Sequence, residues 1–292
     1  MNEPDPDWPN RELSRLVEID AIRWHVQVGG KGPAVLLLHG TGSSSHSFRD
    51  ALPALVEDMT VIAPDLPGHG FSRASTSVPR TLPAMARALT LLLQSLELRP
   101  GVIVGHSAGA AIGAQMALDG HFDVHTLVSV NGALTPFTGV ARVVLPAMAR
   151  AFAKLNWPAR RIARDARRPR AVDRMLGGTG SLLDPRGREL YTRLVQREEH
   201  VRGTVAMTAA WDLSPLAQQL HRLPCALVAV SGSRDKTVRP DRARRVAAEV
   251  PHGSFVDWAG LGHLAHEEDP KRFVELVLSV AKDHGDPSPT HR

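Results

Sequence analysis

One serine stands where a chain could use it as a nucleophile. Gly105-His106-Ser107-Ala108-Gly109 fits the pattern Gly-x-Ser-x-Gly, in which the serine rides on a sharp turn from a strand into a helix. Ahead of it, Val102 to Val104 is a short apolar run of buried-strand character, and the residues behind it are small and suit a helix. Such a turn puts Ser107 in strained backbone geometry, and the flanking glycines keep side chains clear of it. A serine hydroxyl is a poor nucleophile near neutral pH, so it needs a base, and the base needs an orienting acid. Asp235, in Ser231-Gly232-Ser233-Arg234-Asp235-Lys236, is the candidate acid, and His263, in Gly260-Leu261-Gly262-His263-Leu264-Ala265-His266, is the candidate base. Each follows an apolar run, at the strand ends where open α/β sheets gather their sites. The charge that develops on a carbonyl oxygen needs two N–H donors. The amides of Ala108 and of Thr41, in His39-Gly40-Thr41-Gly42, are the candidates. Together these residues would attack an ester, thioester or amide carbonyl.

Each residue taken alone has a plainer explanation. Asp235 could cap the next helix, His263 could pack on a loop, and His39-Gly40-Thr41-Gly42 could be an ordinary glycine-rich turn. The joint order of serine, acid and histidine, each at a strand end, favours the chemical reading. His266 is the rival base, and Asp212 and Asp257 are rival acids, all ranked lower. His106 reads as structural. His263-x-x-His266-Glu267-Glu268 lacks the His-Glu-x-x-His arrangement of a metal helix, so neither a metal nor another cofactor is expected.

The elements that must carry these residues follow from periodicity. Strands are expected at Ser14 to Glu18, Ile22 to Val28, Ala34 to Leu38, Thr60 to Ala63, Val102 to Val104, His125 to Val130, Ala226 to Ser231 and Ser254 to Trp258. Helices are expected at Ser47 to Glu57 with a kink at Pro53, at Leu82 to Leu98, Ser107 to Leu118, Arg239 to Glu249 and Pro270 to Ala281. Strands alternating with helices imply an α/β fold with a mostly parallel, eight-stranded sheet and helices on both faces. Residues 136–212 show no convincing strand and break at Pro146, Pro158, Pro169, Gly177-Gly178 and Pro185. They read as a helical lid inserted after the sixth strand, with residues 1–135 and 213–292 as the core. The polar tail from Asp283 reads as frayed.

Composition limits the remaining classes. A chain of 292 residues buries about three quarters of its unfolded surface and needs no staples. The single cysteine, Cys225, excludes an internal disulfide and sits in a core-like run. The net charge of +5 is mild, and with one tyrosine and no recognisable motif the chain is not read as a nucleic-acid binder. No window reaches a membrane-spanning length and the N-terminus lacks a signal-peptide core. A cytoplasmic location is therefore expected, with peripheral contact at the inner face of the membrane left open by the basic charge. Arg160, Arg161, Arg164, Arg167, Arg168, Arg170 and Arg174 cluster in the expected lid. They read first as a solvated face and second as a dock for an acidic ligand, protein or headgroup.

As a set, His39-Gly40-Thr41-Gly42, Asp65-Leu66-Pro67-Gly68-His69-Gly70, the Ser107 turn, Asp235 and Gly262-His263 resemble the α/β-hydrolase superfamily over roughly Ser14 to Ala281. More narrowly, Trp24-His25-Val26-Gln27, Val130-Asn131-Gly132-Ala133, Ala209-Ala210-Trp211-Asp212-Leu213, Gly177 to Pro185 and Gly262 to Glu268 are similar to the magnesium chelatase accessory proteins of bacteriochlorophyll synthesis. That resemblance implies a phototrophic bacterium, a tetrapyrrole as a conceivable carbonyl substrate and magnesium chelatase as a partner, but no particular reaction. A non-catalytic tetrapyrrole-binding or chelatase-assisting protein is therefore one alternative. A cofactor-free haloperoxidase or perhydrolase is another. A dehalogenase is disfavoured, because Ser107 stands where that chemistry uses a carboxylate.

Overall fold

The computed structural model describes residues 3–136, 157–168 and 170–282. Its strands are β1 (Ser14–Ile19), β2 (Ile22–Gly29), β3 (Ala34–Leu38), β4 (Thr60–Pro64), β5 (Arg73–Ala74), β6 (Val102–His106), β7 (Thr126–Val130), β8 (Ala226–Gly232) and β9 (Gly253–Trp258). They form one sheet in the order β1-β2-β4-β3-β6-β7-β8-β9, with β5 paired to β2. From β4 across to β9 every pairing is parallel. The β1–β2 hairpin turns at Asp20, whose φ is +50°, and β2 joins the sheet antiparallel to β4.

The side-chain period of two explains how the central strands divide the core. Along β3, Leu36 and Leu38 join one apolar cluster, while Val35 and Leu37 join the cluster on the opposite face. The first face is covered by α2 (Leu82–Ser95) and α3 (Ala108–Asp119), through residues such as Leu89, Leu92, Ala110 and Ala114. The second is covered by α1 (Leu52–Asp58) and the helix Pro270–Lys282, through Leu52, Leu55, Phe273 and Val277. A strand buried on both faces reads as a continuous apolar run, which is why Ala34 to Leu38 shows no alternation.

Several expected boundaries move for physical reasons. The sheet has nine strands rather than eight, because the two-residue β5 adds to the edge of β2; two residues are too few to leave a periodic signal. The strand before residue 136 is therefore the seventh. The single helix expected from Ser47 is a short 3-10 turn, Ser45–Phe48, followed by α1. Pro53 lies in the first turn of α1 and starts the helix rather than kinking it, since its missing N–H is not needed there. Helix α2 stops at Ser95, and Glu97 takes φ +57° beyond it. Ser107 lies outside α3 as its N-cap. The 157–210 region forms the helices Trp157–Asp165, Ala171–Gly177, Pro185–Val195 and Glu198–Ala210. Asp184 caps the third of these, accepting a hydrogen bond from the Gly187 amide at 2.5 Å. The expected breaks at Pro146 and Pro169, and the tail from Asp283, lie outside the described residues.

The N-terminal acidic stretch is packed on the helix Pro185–Val195. Trp8 joins Phe71, Leu190 and Leu194 in an apolar cluster, and Asp5 and Asp7 accept from Arg193 at 2.6 and 2.8 Å.

Helix α3 meets the end of β3 through backbone. A Cβ on Gly109 would lie 2.2 Å from the carbonyl oxygen of Leu38. Gly109→Ala is expected to lower unfolding stability by about 3 kcal/mol or more, because a backbone must move to admit the methyl group. Gly120→Ala, at φ +69° with nothing near its Cβ, should cost only about 1 kcal/mol. Urea denaturation of the two variants checks the difference.

Candidate active site

The turn at Ser107 has the strain that its sequence demands. Ser107 adopts φ +51° and ψ −115°, a region that side-chain-bearing residues rarely enter. Three backbone hydrogen bonds hold it there: Ser107 N–H donates to Val130 O at 3.1 Å, and Ser107 O accepts from the amides of Ala110 and Ala133 at 3.2 and 3.0 Å. A Cβ on Gly105 would lie 2.3 Å from the Ala110 nitrogen, so both glycines of the motif are steric requirements. Ala108 is the first residue of α3, and a first-turn amide has no acceptor within its own helix.

Asp235 follows β8 and His263 follows β9, and the two side chains meet. His263 Nδ1 donates to Asp235 Oδ2 at 2.8 Å, and both residues are buried. Asp235 is held by three further donors. Asn131 Nδ2 reaches Oδ2 at 2.5 Å, and the amides of Thr237 and Val238 reach Oδ1 at 2.7 and 2.9 Å. The carboxylate is thus fixed in position, and Nδ1 of His263 carries the proton, which leaves Nε2 as the free acceptor. Ser107 and His263 line the same pocket.

The loop after β3 forms another wall. Gly40, Thr41 and Gly42 line the pocket beside Ser107, and a Cβ on Gly40 would lie 3.0 Å from that of Ser107. His39 secures the loop from beneath: Nδ1 donates to Gly40 O at 2.8 Å and Nε2 accepts from the Leu66 amide at 2.9 Å. Burial lowers the pKa of His39, which keeps the neutral ring that this pattern needs. Asp65 secures the next loop. Its carboxylate accepts from His25 Nδ1 at 2.8 Å and from the amides of Ser45 and Phe71 at 2.7 and 2.8 Å. Burial alone would raise its pKa, yet His25 and these donors hold it well below the usual carboxylate range.

The rivals are placed differently. His266 is buried between His106, Phe48 and Phe273, and burial pushes its pKa down to about 3. Asp257 lies exposed on β9, and Asp212 accepts from the Ser214 amide at 2.9 Å. His106 donates from Nε2 to the carbonyl oxygen of His263 at 2.9 Å and so supports the base loop while also lining the pocket. Cys225 is buried, and burial raises its pKa to about 11, which makes it an inert core thiol. Among the described residues, no group of three or more His, Cys, Asp or Glu side chains could hold a metal ion, and no helix is long and apolar enough to cross a membrane.

Five further residues tie the helices over the pocket to the sheet and its loops. His200, on the helix Glu198–Ala210, accepts from the Gly70 amide at Nδ1 (3.0 Å) and donates from Nε2 to Gly42 O (3.2 Å). Tyr191 donates to Glu267 Oε1 at 2.8 Å and shares a 3.0 Å hydrogen bond with Ser43. Arg49 donates to Glu267 Oε2 at 2.5 Å. Burial raises the Glu267 pKa to about 7, against the pull of Arg49 and Tyr191. Gly203 packs directly on Gly68, where an added Cβ would lie 2.0 Å from the Gly68 oxygen. Only Asn131, within Val130-Asn131-Gly132, has a local sequence cue, namely its place directly after a strand. The other contacts are long-range and leave no cue.

Residues 35–276 match the Alpha/beta hydrolase family. The chain belongs to this family. It is 40% identical over 274 residues, 93% of this chain and 95% of the other, to a protein named Magnesium-chelatase 30 kDa subunit from Rhodobacter capsulatus. An alpha/beta hydrolase fold protein from Burkholderia ambifaria superposes with a TM-score of 0.77 at 21% identity, covering 91% of this chain and 97% of that one. A thermophilic esterase from Thermogutta terrifontis gives 0.72 at 21% identity, covering 92% and 98%. At such identities these two structures speak for the fold alone.

The buried histidines set the acid stability of this α/β hydrolase. Burial lowers the pKa of His200 to about 4 and that of His266 to about 3. As the pH falls below about 6.5, the unfolded chain takes up protons at these rings that the folded chain does not, so stability falls with pH. Urea unfolding at pH 7.5, 6 and 5 should show a steady loss. A His200→Gln variant should start less stable and lose less per pH unit over this range.

Proposed function

We propose that the protein is a serine hydrolase acting on carboxylic ester or related carbonyl bonds, with Ser107, His263 and Asp235 as its catalytic residues. The observation that carries this reading is the 2.8 Å Asp235–His263 hydrogen bond in the wall of the pocket that holds the strained Ser107. In the reaction Ser107 Oγ bonds to the carbonyl carbon while its proton passes to His263 Nε2. The tetrahedral oxyanion is held by the amides of Ala108 and Thr41. The C–O bond to the leaving alcohol then breaks as His263 returns the proton, and water repeats the sequence to free the acid. The helices between Trp157 and Ala210 are the cap of this enzyme, and the sheet with the helices on its two faces is the core.

A fluorophosphonate should label the wild type and not Ser107→Ala. Absence of labelling in the folded wild type removes the hydrolase reading. Ser107→Ala and His263→Ala should each lose about 10⁶ in kcat, and Asp235→Ala about 10⁴, on the substrate found. Asn131→Ala should lower kcat more than it raises KM, because it loosens Asp235.

A second reading is favoured by the name of the 40% identical relative from Rhodobacter capsulatus: the protein assists a magnesium chelatase, and its pocket need not react. Complementation of a deletion strain with Ser107→Ala separates the two. Restored pigment supports assistance, and a pigment-free strain carrying the folded variant supports catalysis.

A further inference from the structure

The polar groups of the pocket wall are almost all engaged by the protein itself. Both nitrogens of His200 are taken by Gly70 and Gly42, and the hydroxyl of Tyr191 is taken by Ser43 and Glu267. Thr204 donates to His200 O at 2.9 Å and Thr179 donates to Leu176 O. What remains for a ligand is Ser107, His263, the loop at Thr41 and Nδ1 of His106, which is an acceptor because Nε2 carries the proton given to His263 O, set against apolar surface from Leu176, Val195, Val201, Val205 and Leu264. Among the described lining residues there is no Asp, Glu, Lys or Arg. The cavity measures about 300 Å³, at the lower end of the range for ligand pockets.

The arginine cluster does not supply the missing charge. Arg160, Arg161, Arg164, Arg167, Arg168, Arg170 and Arg174 are all exposed and none lines the pocket. Arg160 is held by Glu198, and Arg161 and Arg168 flank Asp165.

We infer that the site takes a compact, uncharged, apolar acyl group and rejects one that bears a carboxylate. This rests on the reading of Ser107 as the nucleophile. Among the described lining residues, a carboxylate drawn against the apolar wall would give up its water and meet no cation, and the donors left beside Ser107 are those the reacting carbonyl needs. An aliphatic chain loses nothing by entering and gains by leaving water. Ile162 and Met175, apolar residues 40% and 48% exposed, also line the pocket and extend its apolar surface towards solvent.

The test compares p-nitrophenyl hexanoate with the mono-p-nitrophenyl ester of adipic acid, which has the same chain length and ends in a carboxylate. Wild type should favour the neutral ester by about 100-fold or more in kcat/KM. Equal turnover, or a preference for the charged ester, overturns the inference. Val205→Arg, or Thr204→Lys should that variant not fold, should bring the two rates together by supplying the absent cation. Binding of both esters to Ser107→Ala, followed by calorimetry, separates the two ideas. Tighter binding of the neutral ester, with neither ester turned over by wild type, leaves the pocket inference standing and removes only the nucleophile. Equal binding overturns the pocket inference whatever the turnover.

Discussion

The backbone at Ser107 is the constraint on which the rest of the site depends. A serine at φ +51° costs about 1–3 kcal/mol and persists only where its surroundings over-determine it. Here they do, through the backbone hydrogen bonds to Val130, Ala110 and Ala133. Two steric facts complete the case: neither Gly105 nor Gly109 can carry a side chain without meeting backbone. Contact of Gly109 with Leu38 O also sets the start of α3 against the end of β3. The amide of Ala108 and the loop of Thr41 are neighbours for the same reason. One close approach therefore positions the candidate nucleophile and the candidate oxyanion donors together.

Around this turn the protein spends its polar side chains on scaffolding. His39, His25, His106 and His200 each join two loops or elements through ring nitrogens, and burial keeps His39, His106 and His200 away from their charged form. Tyr191, Glu267 and Arg49 connect the helix Pro185–Val195 to the segment after His263 and to the turn before α1. Breaking one partner of such a buried set costs several kcal/mol, because the other is left without water or a counter-charge. The helices over the pocket are thus fixed by polar bonds at their base and present apolar surface to the cavity.

The parallel strands, the Ser107 turn and the loops that carry Asp235 and His263 were legible because each rests on a local signal. An apolar run ending in a loop with Asp235 or His263 can be read without knowing what lies opposite. The nine-strand count was missed because β5 has only two residues, and the role of Pro53 was misread because a helix start and a kink look alike in a short apolar stretch. Asn131, His200, Tyr191 and Glu267 were not picked out for their roles. Their partners lie between 76 and 148 positions away for Tyr191, and 104 for Asn131, so only the fold can pair them. The arginine cluster could be seen in sequence, but its exclusion from the pocket could not.

Membership of this family does not decide between catalysis and assistance, because one fold serves many functions. The local energetics bear on it more directly. A protein that used only the walls of the cavity would have no use for a left-handed serine, since the wall is built from other residues. Nor would it need Asp235 to satisfy four donors while directing the free nitrogen of His263 away from itself. On the proposed reading such a carboxylate orients the imidazole, and an oriented imidazole serves a group that loses or gains a proton. The strained serine and the oriented histidine are each costly alone and meaningful together, in the one cavity that both line.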